Sequence, residues 1–201
     1  MDALVWRDYL CPWCWLGRDR SAVIEAMGVA VTHLPYDLHP EIPVDGLPVR
    51  VDGRLARVFD QIGVECAATG IEFRAPRRTP NTRFALETAE IVRQVAPECF
   101  AELDESLFRA HWVDALDLGD PGLVDHLVEQ SGAPVTEITD LRNDGSGHQW
   151  VDQSMIRARS HGVTATPAWL IDGSFVIPGV QPTQSIQRWV GRLLERASEG
   201  S

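Results

Sequence analysis

Cys11-Pro12-Trp13-Cys14 follows the apolar run Ala3-Leu4-Val5-Trp6 and precedes a helical pattern. Two sulfurs at this spacing can close a disulfide within one helical turn or supply half of a metal site. The surroundings favour the first. A thiol at a helix N-terminus meets the positive end of the helix dipole, which favours thiolate, the nucleophile of disulfide exchange. Pro12 suits the first helical position, where its missing N–H costs nothing. The motif reads as a reactive dithiol on a strand-to-helix turn.

Outward from it, Ala3 to Tyr9 is expected as a short buried strand. Trp15 to Ala26 carries a helical apolar face that Gly28 ends, and Val29 to Leu34 is a second, β-branched strand. Strand, helix and strand in this order make a βαβ unit with parallel strands. Asp37 to Gly53 is rich in Pro and Gly and reads as a crossing loop, and residues 54 to 161 carry mostly helical patterns. Helix starts are expected at Pro80-Asn81-Thr82 and Gly119-Asp120-Pro121, a further helix over Ala101 to Trp112, and a last one from Asp144-Gly145-Ser146-Gly147 to Ser160. Ala168-Trp169-Leu170-Ile171 and Phe175-Val176-Ile177 flank Asp172-Gly173-Ser174 as a β-hairpin, and Pro182 to Leu194 closes as an amphipathic helix. The fold class is therefore α/β. Residues 1–50 form the first half of one domain, 51–161 an inserted helical domain, and 162–201 the second half.

Composition narrows the functions. The chain has 201 residues, 44% of them hydrophobic, and a formal net charge of -11. The acidic balance argues against nucleic acid or an anionic membrane surface as partner. All 18 basic residues are arginine, which excludes a catalytic lysine and a Walker-type phosphate loop. No apolar run approaches the roughly 18 residues of a membrane span, and no secretory signal is visible. The expected compartment is the cytoplasm, where Cys-x-x-Cys serves redox or metal chemistry rather than a structural staple. Composition leaves the oligomeric state, homodimer included, open.

The ordered motifs resemble a known family. βαβ followed by ββα, with Cys-x-x-Cys opening the first helix, resembles the thioredoxin fold, and a helical domain between the halves is similar to the DsbA branch. Asp8-Tyr9-Leu10-Cys11-Pro12-Trp13-Cys14-Trp15-Leu16-Gly17 resembles the opening of FrnE-like dithiol oxidoreductases. That group shares its architecture with 2-hydroxychromene-2-carboxylate isomerases and kappa-class glutathione transferases. Asn81-Thr82-Arg83, Leu107-Phe108-Arg109-Ala110-His111-Trp112, Leu118-Gly119-Asp120, Gly162-Val163-Thr164-Ala165-Thr166-Pro167 and Pro178-Gly179-Val180-Gln181-Pro182 follow in order. Two departures matter. The isomerases and kappa transferases usually carry Ser where this chain has Cys11, and many FrnE-like proteins have Val where this chain has Thr166.

Site expectations follow. Cys11, at the exposed start of the helix, is the attacking thiolate, and Cys14, one turn inside, resolves the mixed disulfide. The alternative, half of a zinc site, lacks a second Cys-x-x-Cys. The resemblance implies that Thr166-Pro167 is a cis-proline loop facing the dithiol, with the Thr166 backbone offered to an extended substrate. Pro12 and Trp13 stand beside the sulfurs as substrate contacts, and Trp15 belongs to the core. Asp8 is either a proton relay for Cys14 or a helix cap. Cys66 and Cys99 read as apolar fillers, with a second redox pair open only if they approach within about 7 Å. His33 and His39 read as structural or loop residues, and His111 falls in a segment the family shares.

The expected function is thiol–disulfide oxidoreduction with a protein or low-molecular-weight thiol, with no metal and no tightly bound organic cofactor. The alternative is an isomerase, transferase or reductase of a small aromatic or electrophilic compound, dependent on a glutathione-type thiol. A low-molecular-weight thiol would then be a co-substrate.

Overall fold

The computed structural model describes residues 1–50 and 52–199. The central sheet has the order β2-β1-β5-β6. β1 (Asp2–Arg7) runs parallel to β2 (Ala30–Pro35), and β5 (Ala168–Ile171) pairs antiparallel with β1 on its other side and with β6 (Phe175–Pro178). The β-hairpin turn places Asp172 and Gly173 at positive φ, 50° and 66°. Helices α1 (Pro12–Leu16) and α2 (Asp19–Ala26) link β1 to β2, and α9 (Thr183–Glu199) follows β6. Between β2 and β5 lie α3 (Arg54–Thr69), α4 (Arg83–Val95), α5 (Pro97–Trp112), α6 (Pro121–Gln130), α7 (Val135–Asn143) and α8 (Ser146–Ser160). The expected boundary between residues 50 and 51 falls on Val51, outside the described residues, as do Gly200 and Ser201.

Strand alternation explains the two cores. Ala3 and Val5 of β1 and Trp169 and Ile171 of β5 point to one face, where Ile24 of α2 and Ile186 and Val190 of α9 cover them. Trp6, Ala168 and Leu170 point to the other face, under the inserted helices. A strand covered on both faces is a continuous apolar run rather than an alternating one, which is how Ala3 to Trp6 reads. Each fully buried tryptophan finds a polar partner for its N–H: Trp6 with Ser154 O at 3.2 Å, Trp15 with Glu72 O at 2.9 Å, Trp112 with Tyr9 O at 2.8 Å, Trp169 with Ser21 Oγ at 3.1 Å.

Three local expectations change. The helical pattern expected over Trp15 to Ala26 breaks at Gly17 and Arg18 into α1, which starts at Pro12 as expected, and α2. Gly17 is packed so tightly that a Cβ there would lie 2.7 Å from Val180 Cγ2 and 3.0 Å from Trp13 O. The loop over Asp37 to Gly53 contains a short strand, β3 (Leu47–Pro48), which pairs with β4 (Arg78–Thr79). α5 starts at Pro97, which fills the first helical turn, rather than at Ala101. Among the described residues, no helix is long and apolar enough to cross a membrane.

Candidate active site

The site forms where β1 ends. Three residues there are tied to the inserted helices by polar contacts. The Arg7 guanidinium donates to both carboxylate oxygens of Asp104 on α5, at 3.0 and 2.9 Å, and the Tyr9 hydroxyl donates to the same carboxylate at 3.0 Å. Burial would lower the Arg7 pKa, but Asp104 beside it leaves it raised. Between them, Asp8 is buried and accepts three hydrogen bonds: from the Leu10 amide at 3.0 Å, the Leu38 amide at 2.8 Å and the Thr82 hydroxyl at 2.8 Å. Its carboxylate thus joins the motif turn, the exit of β2 and the start of α4. Burial outweighs these donors and pushes its pKa up to about 6. Of the two expectations for Asp8, the capping contact takes another form: Cys11 is the α1 N-cap and has no side-chain capping bond, while Asp8 closes a local turn on Leu10. The Asp8 carbonyl also accepts from the Cys11 amide at 3.1 Å.

Cys11 and Cys14 are adjacent free thiols. Cys11 was expected to be exposed, and this is corrected: it is 2% exposed. The cover comes from a distant segment. The Thr166–Pro167 peptide is cis, and Cys11 Sγ donates to the Thr166 carbonyl at 3.3 Å. The two sulfurs are displaced in opposite directions. Cys11 lies below the ordinary thiol range, because a hydrogen bond from the Cys14 thiol outweighs burial, with help from Thr166 and the Cys14 backbone. Cys14 lies well above it, because it is buried and because Cys11 beside it resists a second negative charge. The Thr166 hydroxyl is buried without a hydrogen-bond partner. It stands beside both sulfurs and favours the thiolate at each.

A cavity of about 180 Å³ opens beside Cys11. Leu10, Pro12 and Trp13 line one side, Leu38 and His39 another, Leu55, Val58 and Phe59 of α3 a third, and Ala165 and Thr166 close it. Trp13 is half-buried on this wall, whereas Trp15 is sealed in the core. Sequence reasoning assigned no site role to Leu38, His39 or the α3 residues, since nothing local to the motif indicates which inserted helix will face it. Thr82 carried one signal, its place at a helix start, but not its bond to Asp8. His111 lies elsewhere: it is buried against Trp112, with Nδ1 3.3 Å from Leu116 O, and burial lowers its pKa to about 4. His33 is largely buried in β2 and lowered to about 3, chiefly by burial. Cys66 is buried in the core and Cys99 is half-buried against it. Among the described residues, no group of three or more His, Cys, Asp or Glu side chains is arranged to hold a metal ion.

Comparison with known proteins places this geometry. The DSBA-like thioredoxin domain family matches residues 4–190. No curated protein matches the chain at the level of sequence. Among solved structures, a probable DsbA oxidoreductase from Streptomyces coelicolor is similar with a TM-score of 0.84 at 20% identity, covering 96% of this chain and 89% of that one. A 2-hydroxychromene-2-carboxylate isomerase is similar with a TM-score of 0.75 at 16% identity, covering all of both chains (100% each). The cytosolic disulfide reductase DsbM from Pseudomonas aeruginosa, also solved with glutathione, is similar with a TM-score of 0.70 at 15% identity, covering 97% and 99%.

Proposed function

The chain belongs to the DSBA-like thioredoxin domain family, and from that premise we propose that it is a thiol–disulfide oxidoreductase whose working pair is Cys11 and Cys14. The observation that carries this reading is a pair of adjacent free thiols, of which Cys11 lines a cavity and is displaced toward thiolate while Cys14 is buried and held protonated. Such a pair divides the labour of exchange.

In the reducing direction, the Cys11 thiolate attacks one sulfur of a substrate disulfide. A Cys11–substrate disulfide forms, and the other substrate sulfur leaves as thiolate and takes a proton. Cys14 then gives up its proton and attacks Cys11. The mixed disulfide breaks, the second substrate thiol is released, and Cys11–Cys14 is oxidised. Two electrons pass from the protein dithiol to the substrate, and the oxidising direction is the reverse. Asp8, with a pKa near 6 and a place at the same turn, is the proposed acceptor of the Cys14 proton. The Thr166 backbone, Pro12 and Trp13 are the proposed substrate contacts. The reaction requires no metal and no tightly bound organic cofactor. The partner is a protein or a low-molecular-weight thiol, and the proposed compartment is the cytoplasm.

The test is a pair of variants. Cys11→Ser and Cys14→Ser are each expected to lose insulin reduction; full activity in Cys14→Ser would overturn the two-cysteine mechanism. A second reading rests on the apolar cavity and the likeness to an isomerase fold. In it, a glutathione-type thiol is a co-substrate for conversion of a small electrophilic compound. It requires saturable glutathione binding in a calorimetric titration, and an isotherm without heat would rule it out.

A further inference from the structure

One polar ring on the cavity wall has no part in the chemistry so far. His39 lies in the loop that follows β2, and its neighbours around the cavity are largely apolar: Leu38, Trp13, Leu55 and Phe59. Cys11 and Thr166 line the same cavity. Apart from His39 and Cys11, no titratable side chain lines it among the described residues.

The ring is oriented. Glu41 Oε1 lies 2.9 Å from His39 Nδ1, and this contact holds Glu41 below the usual carboxylate range. In the neutral ring, an ionised carboxylate at Nδ1 places the proton there, which leaves a lone pair on Nε2. His39 is half-exposed, so that lone pair is accessible to a molecule entering from solvent. A lone pair of this kind, on a residue that lines the same cavity as a reactive sulfur, suits a thiol that arrives protonated. A free cysteine thiol has a pKa of about 8.5 and is mostly protonated at neutral pH, and simple alkyl thiols are weaker acids still.

We infer that His39, oriented by Glu41, is the base that takes the proton of a small, largely apolar monothiol bound in the cavity beside Cys11. The inference rests on the oxidoreductase reading. The cavity, about 180 Å³, is smaller than the roughly 300–1,000 Å³ of drug-sized ligand sites, so it admits a side-chain-sized group. On the oxidised protein, the substrate thiol gives its proton to Nε2, and its sulfur attacks Cys11. The Cys11–Cys14 bond breaks, and Cys14 leaves as thiolate and takes its proton from Asp8, the reverse of the transfer proposed above. His39 releases its proton to solvent and then takes the proton of a second substrate thiol, whose sulfur attacks the substrate sulfur of the mixed disulfide. The substrate disulfide departs and Cys11 is left as thiolate. Two thiols lose two electrons, and the protein disulfide gains them.

The test is rapid-mixing reduction of the oxidised full-length protein by small monothiols of graded acidity, from a nitrothiophenol to 2-mercaptoethanol. General base catalysis contributes about 10²–10⁴-fold where a proton must be removed. His39→Gln is expected to lose about 100-fold on the least acidic thiols, with the deficit shrinking steadily as thiol acidity rises. Glu41→Gln is expected to show the same trend with a smaller loss and a shallower slope. Thermal unfolding and the Cys11–Cys14 redox potential of both variants verify that fold and dithiol are intact. An equal loss across the series, or none, overturns the inference, as does a wild-type protein reduced by dithiols but by no monothiol. If neither monothiols nor dithiols reduce the wild-type Cys11–Cys14 disulfide, the oxidoreductase reading itself falls.

Discussion

Removing the Thr166 hydroxyl separates its two effects on the protein. In the dithiol, that hydroxyl is buried and has no hydrogen-bond partner. Beside a thiolate it becomes a donor to a charged acceptor, an interaction of about 1.5–3 kcal/mol. Thr166→Val keeps the shape and deletes the donor. Cys14 stays protonated over the working range, so the loss falls on Cys11. At about 1.36 kcal/mol per pKa unit, the Cys11 pKa should rise by about 1–2 units. The thiolate form of the reduced protein loses that stabilisation, so the disulfide becomes a weaker oxidant. With 30 mV equivalent to about 1.4 kcal/mol, its potential should fall by about 30–60 mV. The fold should respond in the opposite sense. Below the Cys11 pKa, deleting an unpartnered buried hydroxyl is expected to be neutral or to stabilise the protein by about 1 kcal/mol. Iodoacetamide alkylation against pH gives the pKa, a glutathione redox titration gives the potential, and urea unfolding of the reduced protein gives the stability. An unmoved or lowered Cys11 pKa in Thr166→Val would refute the reasoning.

Other perturbations probe the frame around the dithiol. Folded Asp8 keeps its proton up to about pH 6, against 3.8 for the ordinary side chain; the native state then binds more protons than the unfolded chain in that window, so Asp8 costs stability as pH rises through it. The cost should reach about 3 kcal/mol above pH 6, and the wild-type minus Asp8→Asn difference in urea unfolding should carry this slope and flatten above it. Asp104→Ala strands the Arg7 guanidinium, whose side chain is 9% exposed, and should cost about 3–5 kcal/mol; Arg7→Met combined with Asp104→Leu should recover most of it in the same measurement. Gly17→Ala drives a methyl into Val180 and the Trp13 carbonyl. It should cost about 1–3 kcal/mol and slow disulfide exchange, and adding Val180→Ala should relieve the larger part of the loss of thermal stability.

What the sequence made legible follows the range of the interactions. The βαβ opening, the hairpin at Asp172-Gly173 and the closing helix rest on local periodicity and turn chemistry, and the structure has them in place. α7 was not foreseen, because it buries only Ile138 and so presents almost no apolar stripe. β3 and β4 have two residues each, too few to show alternation. The close approach of Val180 to Gly17 is one that no local pattern could reveal. The same holds at the site. The dithiol and the proline facing it could be found from motifs, but the low exposure of Cys11 depends on residue 166. The three partners of Asp8 include Leu38 and Thr82, and the third cavity wall comes from α3. These are tertiary placements without a sequence signal of their own.

The central position of β1 sets the order in which this protein can mature. One neighbour of β1, residues 30–35, follows closely in the chain, but the other begins at Ala168, which pairs with Trp6. Contacts of such long separation form late, since the closure entropy comes before the reward. Cys11 is therefore synthesised long before Thr166, 155 residues later, whose carbonyl accepts from its sulfur. Until Thr166 is in place, Cys11 lacks the carbonyl that accepts from its sulfur. The contact of Cys11 with the Thr166 carbonyl thus belongs to the same late event as the pairing of β5 with β1.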